Sequence, residues 1–193
     1  QKITSVFRQV PLDFPLPHHL IFKQSRKRGY KLFEDIIKKV KTNSKDNPGI
    51  LAMLVESLDM TEEQIRDEAI TLVVAGHETT ANTLLFIFYC LEKHPEKKQK
   101  VINEINSVLA EKELSFETIR DLHYTHAVIK ETLRLFPSVW LVGRTNLEDD
   151  IIGGYHLPKG SEVMIPIYNV HRSSKYWESS NEFLPERFLN DEH

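Results

Sequence analysis

An acid and two neighbouring hydroxyls interrupt a segment that otherwise has the pattern of an apolar helix. The stretch LVVAGHETTANTLLF, residues 72–86, carries Gly76, His77, Glu78, Thr79 and Thr80 at its centre. In a helix interior glycine costs about 1 kcal/mol relative to alanine, and threonine competes for backbone hydrogen bonds. These residues would be unfavourable in a plain core helix, so the segment is a candidate for a chemical role, and the alternative interpretation is a core helix that is only kinked.

Known metal-binding helix patterns do not fit this segment. His77-Glu78 begins like the zinc-protease motif H-E-x-x-H, but the position of the second histidine is occupied by Ala81. A di-iron bundle requires Glu-x-x-His, and no glutamate in the sequence has a histidine three positions later. His123 and His126 are three residues apart and could share a metal, although a pair without a third ligand is more typical of a cap or loop. The sequence also has no G-x-G-x-x-G, Walker or G-x-S-x-G motif.

Glu131 and Arg134 form a second candidate group, at positions i and i+3 of a predicted helix. This spacing places both side chains on one helix face, with the acid nearer the N-terminus, which is the favourable order. An isolated pair of this kind is usually a surface feature, but apolar neighbours here allow the pair to point inward. A buried pair needs a further partner, and Arg187 in the segment LPERF is the candidate.

Composition limits the classes of function. Of the 193 residues, 40% are hydrophobic and 27% are charged, as in an ordinary folded domain. The net charge of −3 gives no electrostatic reason to expect nucleic acid as a partner. Cys90 is the sole cysteine, so an internal disulfide cannot form and a reducing compartment is expected. No uninterrupted apolar run is long enough to predict a membrane span, and the start at Gln1 indicates a piece of a longer protein.

Helical periodicity positions these residues up to Pro137. The sequence predicts a loop over 9–20, an amphipathic helix over 22–41, a short helix after Gly49, a long helix over 61–93, a helix from Pro95, a short helix capped by Ser115 and a helix over 125–135. The long helix is predicted to begin with a capping box formed by Thr61 and Gln64.

After Pro137 the period changes to that of strands. The segment VWLVGRT and the region 149–168 are predicted to contain strands, with turns at residues 153–154 and 158–160. Pro166 indicates a sheet edge or a bulge, and the tail from residue 176 is predicted to be packed coil. The predicted fold class is mainly α with a small β-sheet. We expect a single partial domain over 1–193, with a helical part over 1–136 and a strand and coil part over 137–193.

Three motifs of the sequence together resemble the cytochrome P-450 haem-thiolate monooxygenases. AGHETT, residues 75–80, is similar to the oxygen-binding motif in the long central helix of that family. KETLRLFP, residues 130–137, carries its Glu-x-x-Arg, and FLPERF, residues 183–188, carries its Pro-Glu-Arg-Phe segment. Each motif is short, but all three in this order are specific. The resemblance covers nearly the whole chain and implies a partial cytochrome P-450 fold.

The resemblance implies an oxygen-activation site on the central helix. Ala75 and Gly76 would lie beside the haem, where the helix bends or widens to leave a groove for dioxygen. Thr79 would serve the oxygen site, and Glu78 would belong to the path that delivers protons. Arg144, in the strand region, is placed like the family arginine that pairs with a haem propionate.

The resemblance assigns a structural role to a second set of residues. Glu131, Arg134 and Arg187 would form the ion network that supports the haem-binding side of the family, without acting as chemical catalysts. His171 and Arg172, in the segment NVHRSS, also fit the family pattern and are expected to be structural.

The sequence departs from the family at the iron ligand. The axial cysteine of the family lies in an F-x-x-G-x-x-x-C-x-G loop, which has no counterpart up to His193. Cys90 does not substitute for it by analogy, because it lies three turns past Thr79 on the same helix. We therefore expect an internal fragment that lacks the N-terminal helices and the axial cysteine beyond His193, and that is inactive alone.

The family resemblance also implies an activity. The complete protein would insert one oxygen atom from O2 into an apolar organic substrate such as a fatty acid, carotenoid or similar lipid. Electrons would come from a reductase or ferredoxin, and the protein would be soluble on the cytoplasmic side or anchored to a membrane by a segment outside this chain. The alternative is a non-catalytic degenerate homologue, or a helical module that binds a lipid or a partner. A downstream cysteine loop in the reading frame would favour the enzyme.

Overall fold

A computed structural model describes residues 17–42, 49–57 and 59–189 of the chain. Helices predominate, with four short strands and a 3₁₀ turn towards the C-terminal end. The elements are α1 (Pro17–Thr42), α2 (Ile50–Glu56), α3 (Glu62–Lys93), α4 (Pro95–Glu111), α5 (Phe116–Arg120), α6 (His123–Leu135), β1 (Val142–Thr145), β2 (Asp150–Ile152), β3 (Tyr155–Leu157), β4 (Glu162–Ile165), α7 (Ile167–His171) and the 3₁₀ turn Pro185–Phe188. The predicted fold class, mainly α with a small amount of β, is confirmed.

The chain forms two compact units, Gln1–Gly76 and His77–His193, whose boundary lies within α3. In the first unit, Ile37 of α1, Ala52 of α2 and Ile65 of α3 are buried. Arg66 places its guanidinium 4.2 Å from the centre of the Tyr30 ring. This unit is therefore held by apolar contacts and by a cation–π contact between α1 and α3.

Helix α3 begins as its sequence predicts. The backbone N–H of Thr61 donates to Gln64 Oε1 at 2.8 Å, and the N–H of Gln64 donates to Thr61 Oγ1 at 3.3 Å. This reciprocal pair confirms the capping box and satisfies N–H groups that have no partner within the helix. Its 32 residues extend over about 48 Å at 1.5 Å per residue. In the described part of the chain, α3 alone has the length and hydropathy to cross a membrane, a test that core helices of soluble proteins also pass.

The core of the second unit lies between the C-terminal half of α3, α4, α6 and the coil before the 3₁₀ turn. It contains Cys90, Leu91, Val101, Tyr124, Val128, Leu135 and Phe183. Helix α5 is capped by Ser115, whose hydroxyl accepts the N–H of Thr118 at 3.2 Å, as the sequence predicts. Helix α6 also carries the buried pair Glu131 and Arg134.

The strands form two antiparallel pairs. Strand β1 pairs with β4, with Val142 opposite Ile165, and β2 pairs with β3, with Asp150 opposite Leu157. The turn between β2 and β3 uses Gly153 and Gly154, which both have a positive φ, as the glycine pair predicts.

Two local predictions are wrong. Residues 17–20 belong to α1 rather than to a loop, since a proline is compatible with the first position of a helix, where its missing N–H is not needed. Residues 9–16 of the predicted loop lie outside the described residues. The last predicted strand ends at Ile165, and Ile167 begins α7, because Pro166 has no N–H to continue the ladder.

Candidate functional site

The AGHETT segment lies on the accessible surface of α3. Ala75 and Gly76 are exposed at the end of the first unit, and Glu78 is exposed at the start of the second, where Thr79 is half-buried. A Cβ atom added at Gly76 would meet no neighbouring atom within 4 Å. Among the described residues, the helix therefore presents an acid and an open glycine on its surface.

The carbonyl oxygen of Thr79 accepts two side-chain hydroxyls. Thr83 Oγ1 donates to it at 2.8 Å, and Ser138 Oγ donates to it at 3.0 Å. The two hydroxyl oxygens lie 2.9 Å from each other. Ser138 follows α6 in the sequence, so this contact joins α3 to the segment after the Glu-x-x-Arg helix. Sequence reasoning missed Ser138, since nothing in its immediate neighbours indicates a partner 59 residues away.

Of the two alternatives expected at this turn of α3, a bend or a widening, the widening is not observed. Every residue from Glu62 to Lys93 is α-helical. The Thr83 hydroxyl reaches the carbonyl four residues earlier, and a threonine can make this bond within an α-helix, although such bonds often bend it. The helix can therefore hold the hydroxyls at Thr79 without a wider turn.

Glu131 lies at the centre of a buried ion network. Its side chain is fully buried and forms a bidentate salt bridge with Arg134. Arg134 Nε donates to Glu131 Oε2 at 2.7 Å, and Arg134 Nη2 donates to Glu131 Oε1 at 2.8 Å. Oε1 also accepts the backbone N–H of Leu184 at 2.8 Å and Nε of Arg187 at 3.3 Å. The structure thus brings together the three residues singled out in the sequence, and the pair points inward rather than towards solvent.

Arg134 ties this network to the backbone of the C-terminal coil. Its Nη1 donates to the carbonyls of His171 and Ser180, each at 2.7 Å, and its Nη2 donates to the carbonyl of Glu182 at 3.0 Å. With the two bonds to Glu131, these contacts use all the donors of the guanidinium. Trp177 covers the network, since the guanidinium carbon of Arg134 lies 5.1 Å from the centre of a Trp177 ring.

Glu186 anchors the 3₁₀ turn and was not singled out by sequence reasoning. Its carboxylate accepts Lys100 Nζ at 2.8 Å, Tyr124 Oη at 3.0 Å and Lys97 Nζ at 3.1 Å. Partial burial raises the pKa of Glu186, but the hydrogen bonds from Lys100, its own backbone N–H, Lys97 and Tyr124 outweigh burial and lower that pKa to about 2. The segment PERF is therefore anchored at two points. Glu186 binds Lys97, Lys100 and Tyr124, and Arg187 binds Glu131.

A pH-dependent contribution to stability follows from Glu186. Because its folded-state pKa lies below the ordinary value of 4.5, the ionised group stabilises the fold fully above about pH 4.5, and this contribution is lost as the pH falls towards 2. In the complete protein, the loss of melting temperature caused by Glu186→Gln should be largest above pH 4.5 and should shrink towards pH 2. The control is Glu178→Gln, at an exposed position. A Glu186→Gln effect that is the same at all these pH values would contradict the assignment.

Arg144 lies apart from the ion network. It is exposed on β1, and its Nη1 donates to the carbonyl of Gly143 at 2.8 Å. Arg172 instead binds one main-chain and one side-chain acceptor: its Nη2 donates to the carbonyl of Leu135 at 2.9 Å, and its Nη1 donates to the side-chain amide oxygen Oδ1 of Asn181 at 3.1 Å. The guanidinium of Arg144 is thus accessible, whereas that of Arg172 fixes the end of α6.

Cys90 is a packing residue. Its side chain is buried in the core of the second unit, and burial raises the pKa of its thiol to about 11, although a hydrogen bond with Thr132 acts in the opposite direction. A cysteine that binds a metal has to be a thiolate, which burial of this kind disfavours.

Among residues 17–42, 49–57 and 59–189, no three His, Cys, Asp or Glu side chains are arranged to hold a metal ion. The ring of His126 lies 3.1 Å from the carbonyl of Ile119, a local contact of the capping type.

The described residues fit part of a haem site. Arg144, in the second unit, is an exposed cation suited to a carboxylate such as a haem propionate. The axial position is not supplied, because the sole cysteine is the buried Cys90. The described side chains can therefore pair with a carboxylate of the group but do not supply the cysteine ligand of its iron.

Comparison with known proteins gives a consistent result. A family model described as cytochrome P450 matches residues 2–193. The chain is 37% identical over 158 residues to "Cytochrome P450 97B1, chloroplastic" of Pisum sativum, covering 77% of this chain and 28% of that protein. It is 39% identical over 144 residues to "Carotene epsilon-monooxygenase, chloroplastic" of Arabidopsis thaliana, covering 74% and 27%. It is 36% identical over 159 residues to "Cytochrome P450 3A17" of Cavia porcellus, covering 77% and 32%. The aligned segments thus span about a quarter to a third of the length of these relatives.

Proposed function

The chain belongs to the cytochrome P450 family, and from this premise we propose that the complete protein is a haem-thiolate monooxygenase. The reaction would consume an apolar substrate, O2, two electrons and two protons, and would yield the hydroxylated substrate and water. The observation that carries this proposal is the turn of α3 at Gly76–Thr79, where an open glycine, an exposed acid and a held threonine occur together on an apolar helix.

Each residue of this turn has a task in the proposed mechanism. The haem, when bound, supplies the iron that activates dioxygen and receives electrons, with the thiolate promoting O–O cleavage. Gly76 and Ala75 leave room beside it, and Thr79 donates or accepts a proton through its hydroxyl. Glu78, exposed one position before Thr79 on the helix, exchanges protons with water and renews those that Thr79 passes on.

The remaining residues bind or support. Arg144 would pair with a haem propionate through its exposed guanidinium. Glu131, Arg134 and Arg187 would hold the coil that leads to the haem-binding region. Because Cys90 is the sole cysteine of the chain and is buried, the thiolate that binds the haem iron would come from a cysteine outside residues 1–193. We expect residues 1–136 and 137–193 to be parts of one domain in the complete protein, and the chain alone to be inactive.

The substrate and the electron donor belong to the finer part of the proposal. One relative is named a carotene epsilon-monooxygenase, which supports an apolar lipid such as a carotenoid, or a fatty acid, as substrate. Electrons would come from a reductase or ferredoxin. Two of the plant relatives are named chloroplastic, and that description concerns those proteins. For this protein we propose a cytoplasmic-side location, either soluble or anchored to a membrane by a segment outside this chain.

The test uses the complete protein that contains this chain. Its reduced form with carbon monoxide should give the spectrum of thiolate-ligated haem, and isotopically labelled O2 should place one labelled atom in the hydroxylated product. Cys90→Ser should leave the spectrum intact, because Cys90 is a buried packing residue. Loss of the thiolate signal in Cys90→Ser would overturn the assignment of the axial ligand to a residue outside this chain. A wild-type protein that binds no haem would instead support the non-catalytic alternative.

A further inference from the structure

We infer that Ser138 and Thr83 are positioning residues for oxygen activation, because their hydroxyls hold the backbone of Thr79 in place. This inference rests on the proposed function, in which Thr79 handles protons at the oxygen site. Neither hydroxyl is assigned to the reaction itself, and each would act through Thr79.

The hydrogen bonds form a closed triangle. The carbonyl oxygen of Thr79 accepts Thr83 Oγ1 at 2.8 Å and Ser138 Oγ at 3.0 Å, and the two hydroxyl oxygens are 2.9 Å apart. Two hydroxyl protons are available for three contacts, and the two hydroxyls cannot donate to each other at once. In every arrangement that keeps both protons within the triangle, the carbonyl of Thr79 therefore receives at least one of them.

Ser138 is itself held by rigid contacts. Two residues earlier, the ring of Phe136 stacks on Phe86 with centroids 4.4 Å apart and planes 4° from parallel. Arg172 binds the carbonyl of Leu135 at 2.9 Å, which fixes the end of α6. The segment 136–138 thus links the end of α6 to one carbonyl on α3, that of Thr79. Helix α6 is itself held by the buried ion network.

Fixing that carbonyl restricts the direction of the Cα–Cβ bond of Thr79, from which its hydroxyl extends. The carbonyl defines the peptide plane between Thr79 and Thr80, and this plane limits the rotation of the Thr79 backbone. Displacement of a reacting group by about 1 Å can cost about 10²-fold in rate. Loss of either hydroxyl should therefore loosen this turn and let protons be delivered less accurately, while substrate and haem still bind.

The experiment compares Ser138→Ala and Thr83→Val with wild type in the complete protein. Thr83→Ser keeps the hydroxyl and should rescue. The matched control is Thr71→Val, since the Thr71 hydroxyl makes the same type of bond on the same helix, to the carbonyl of Asp67 at 2.8 Å, outside the triangle. Two quantities are measured: hydrogen–deuterium exchange of the amides over residues 79–84 in the resting protein, and the fraction of reducing equivalents recovered as hydroxylated product.

Ser138→Ala and Thr83→Val should each speed this amide exchange by about fivefold, the effect of losing a hydrogen bond of about 1 kcal/mol. Each should also lower the fraction recovered as product, with the missing equivalents found as hydrogen peroxide, while Thr71→Val and Thr83→Ser change neither quantity. Unchanged recovery in both variants, in a wild type that hydroxylates efficiently, would overturn the inference and leave the proposed function standing. If the wild type forms no product, the proposed function fails, and the exchange data then report only the hydrogen bonds.

Discussion

Replacing Glu131 with alanine is expected to leave the complete protein largely misfolded and without bound haem. The carboxylate is fully buried and accepts hydrogen bonds from Arg134, Arg187 and the backbone of Leu184. Its removal leaves the guanidinium of Arg134, whose side chain is only 2% exposed, without its counter-charge. Breaking a buried pair in this way costs about 3–5 kcal/mol. Because folded proteins are stable by only about 5–15 kcal/mol, this is a large part of the total.

Chemical denaturation, melting temperature and haem content measure the effect of Glu131→Ala. Glu131→Gln separates charge from shape, since it keeps the volume of the side chain but still leaves Arg134 uncompensated, so a substantial loss should persist. Asp121→Ala is the control, because it removes an ion pair at 2.6 Å between partly exposed side chains, which should change the melting temperature little. A normal melting temperature and haem content in Glu131→Ala would show that the network is dispensable.

Replacing Thr79 with alanine is expected to separate oxygen consumption from product formation in the complete protein. Reductant and O2 would still be consumed, but two electrons and two protons would leave as hydrogen peroxide. Positioned proton transfer typically contributes 10²–10⁴-fold, so the rate of product formation should fall by about 10²-fold. The fold should be retained, because Thr79 lies on the half-buried surface of α3 rather than in the core.

The neighbouring threonine provides the matched control for Thr79→Ala. Thr80→Ala makes the same chemical change one position along the same helix, at an exposed residue, and should leave product formation per electron unchanged. Thr79→Ser keeps the hydroxyl and should retain most of the activity. Equal product yields in Thr79→Ala and wild type would refute the proton role of this residue, whereas equal losses at Thr79 and Thr80 would point to a general disturbance of the helix.

The sequence by itself determined the helices and the order of the motifs. The capping box at Thr61, the proline that begins α4 and the serine cap of α5 are local signals, because the residues that satisfy each helix end lie within a few positions of it. The failures were also local. At residues 17–20 and at Ile167, a proline was compatible with the start of a helix, whereas the sequence pattern favoured a loop and a strand.

The tertiary structure decided how the candidate residues are held. Residue type and spacing indicated that Glu131, Arg134 and Arg187 belong together, but not that Arg134 also binds the carbonyls of His171, Ser180 and Glu182. Because every residue has a backbone carbonyl, the sequence does not indicate which carbonyls accept these hydrogen bonds.

The contact between Ser138 and the carbonyl of Thr79 also could not be predicted from the sequence. The two residues are 59 positions apart, and they meet only because α6 packs beside α3 and the Phe136 ring stacks on Phe86. Side-chain chemistry and helix periodicity depend on residues that are close together in the sequence, so the sequence predicts them. The partners of backbone groups depend on which distant segments the fold brings together, and this is settled only by packing.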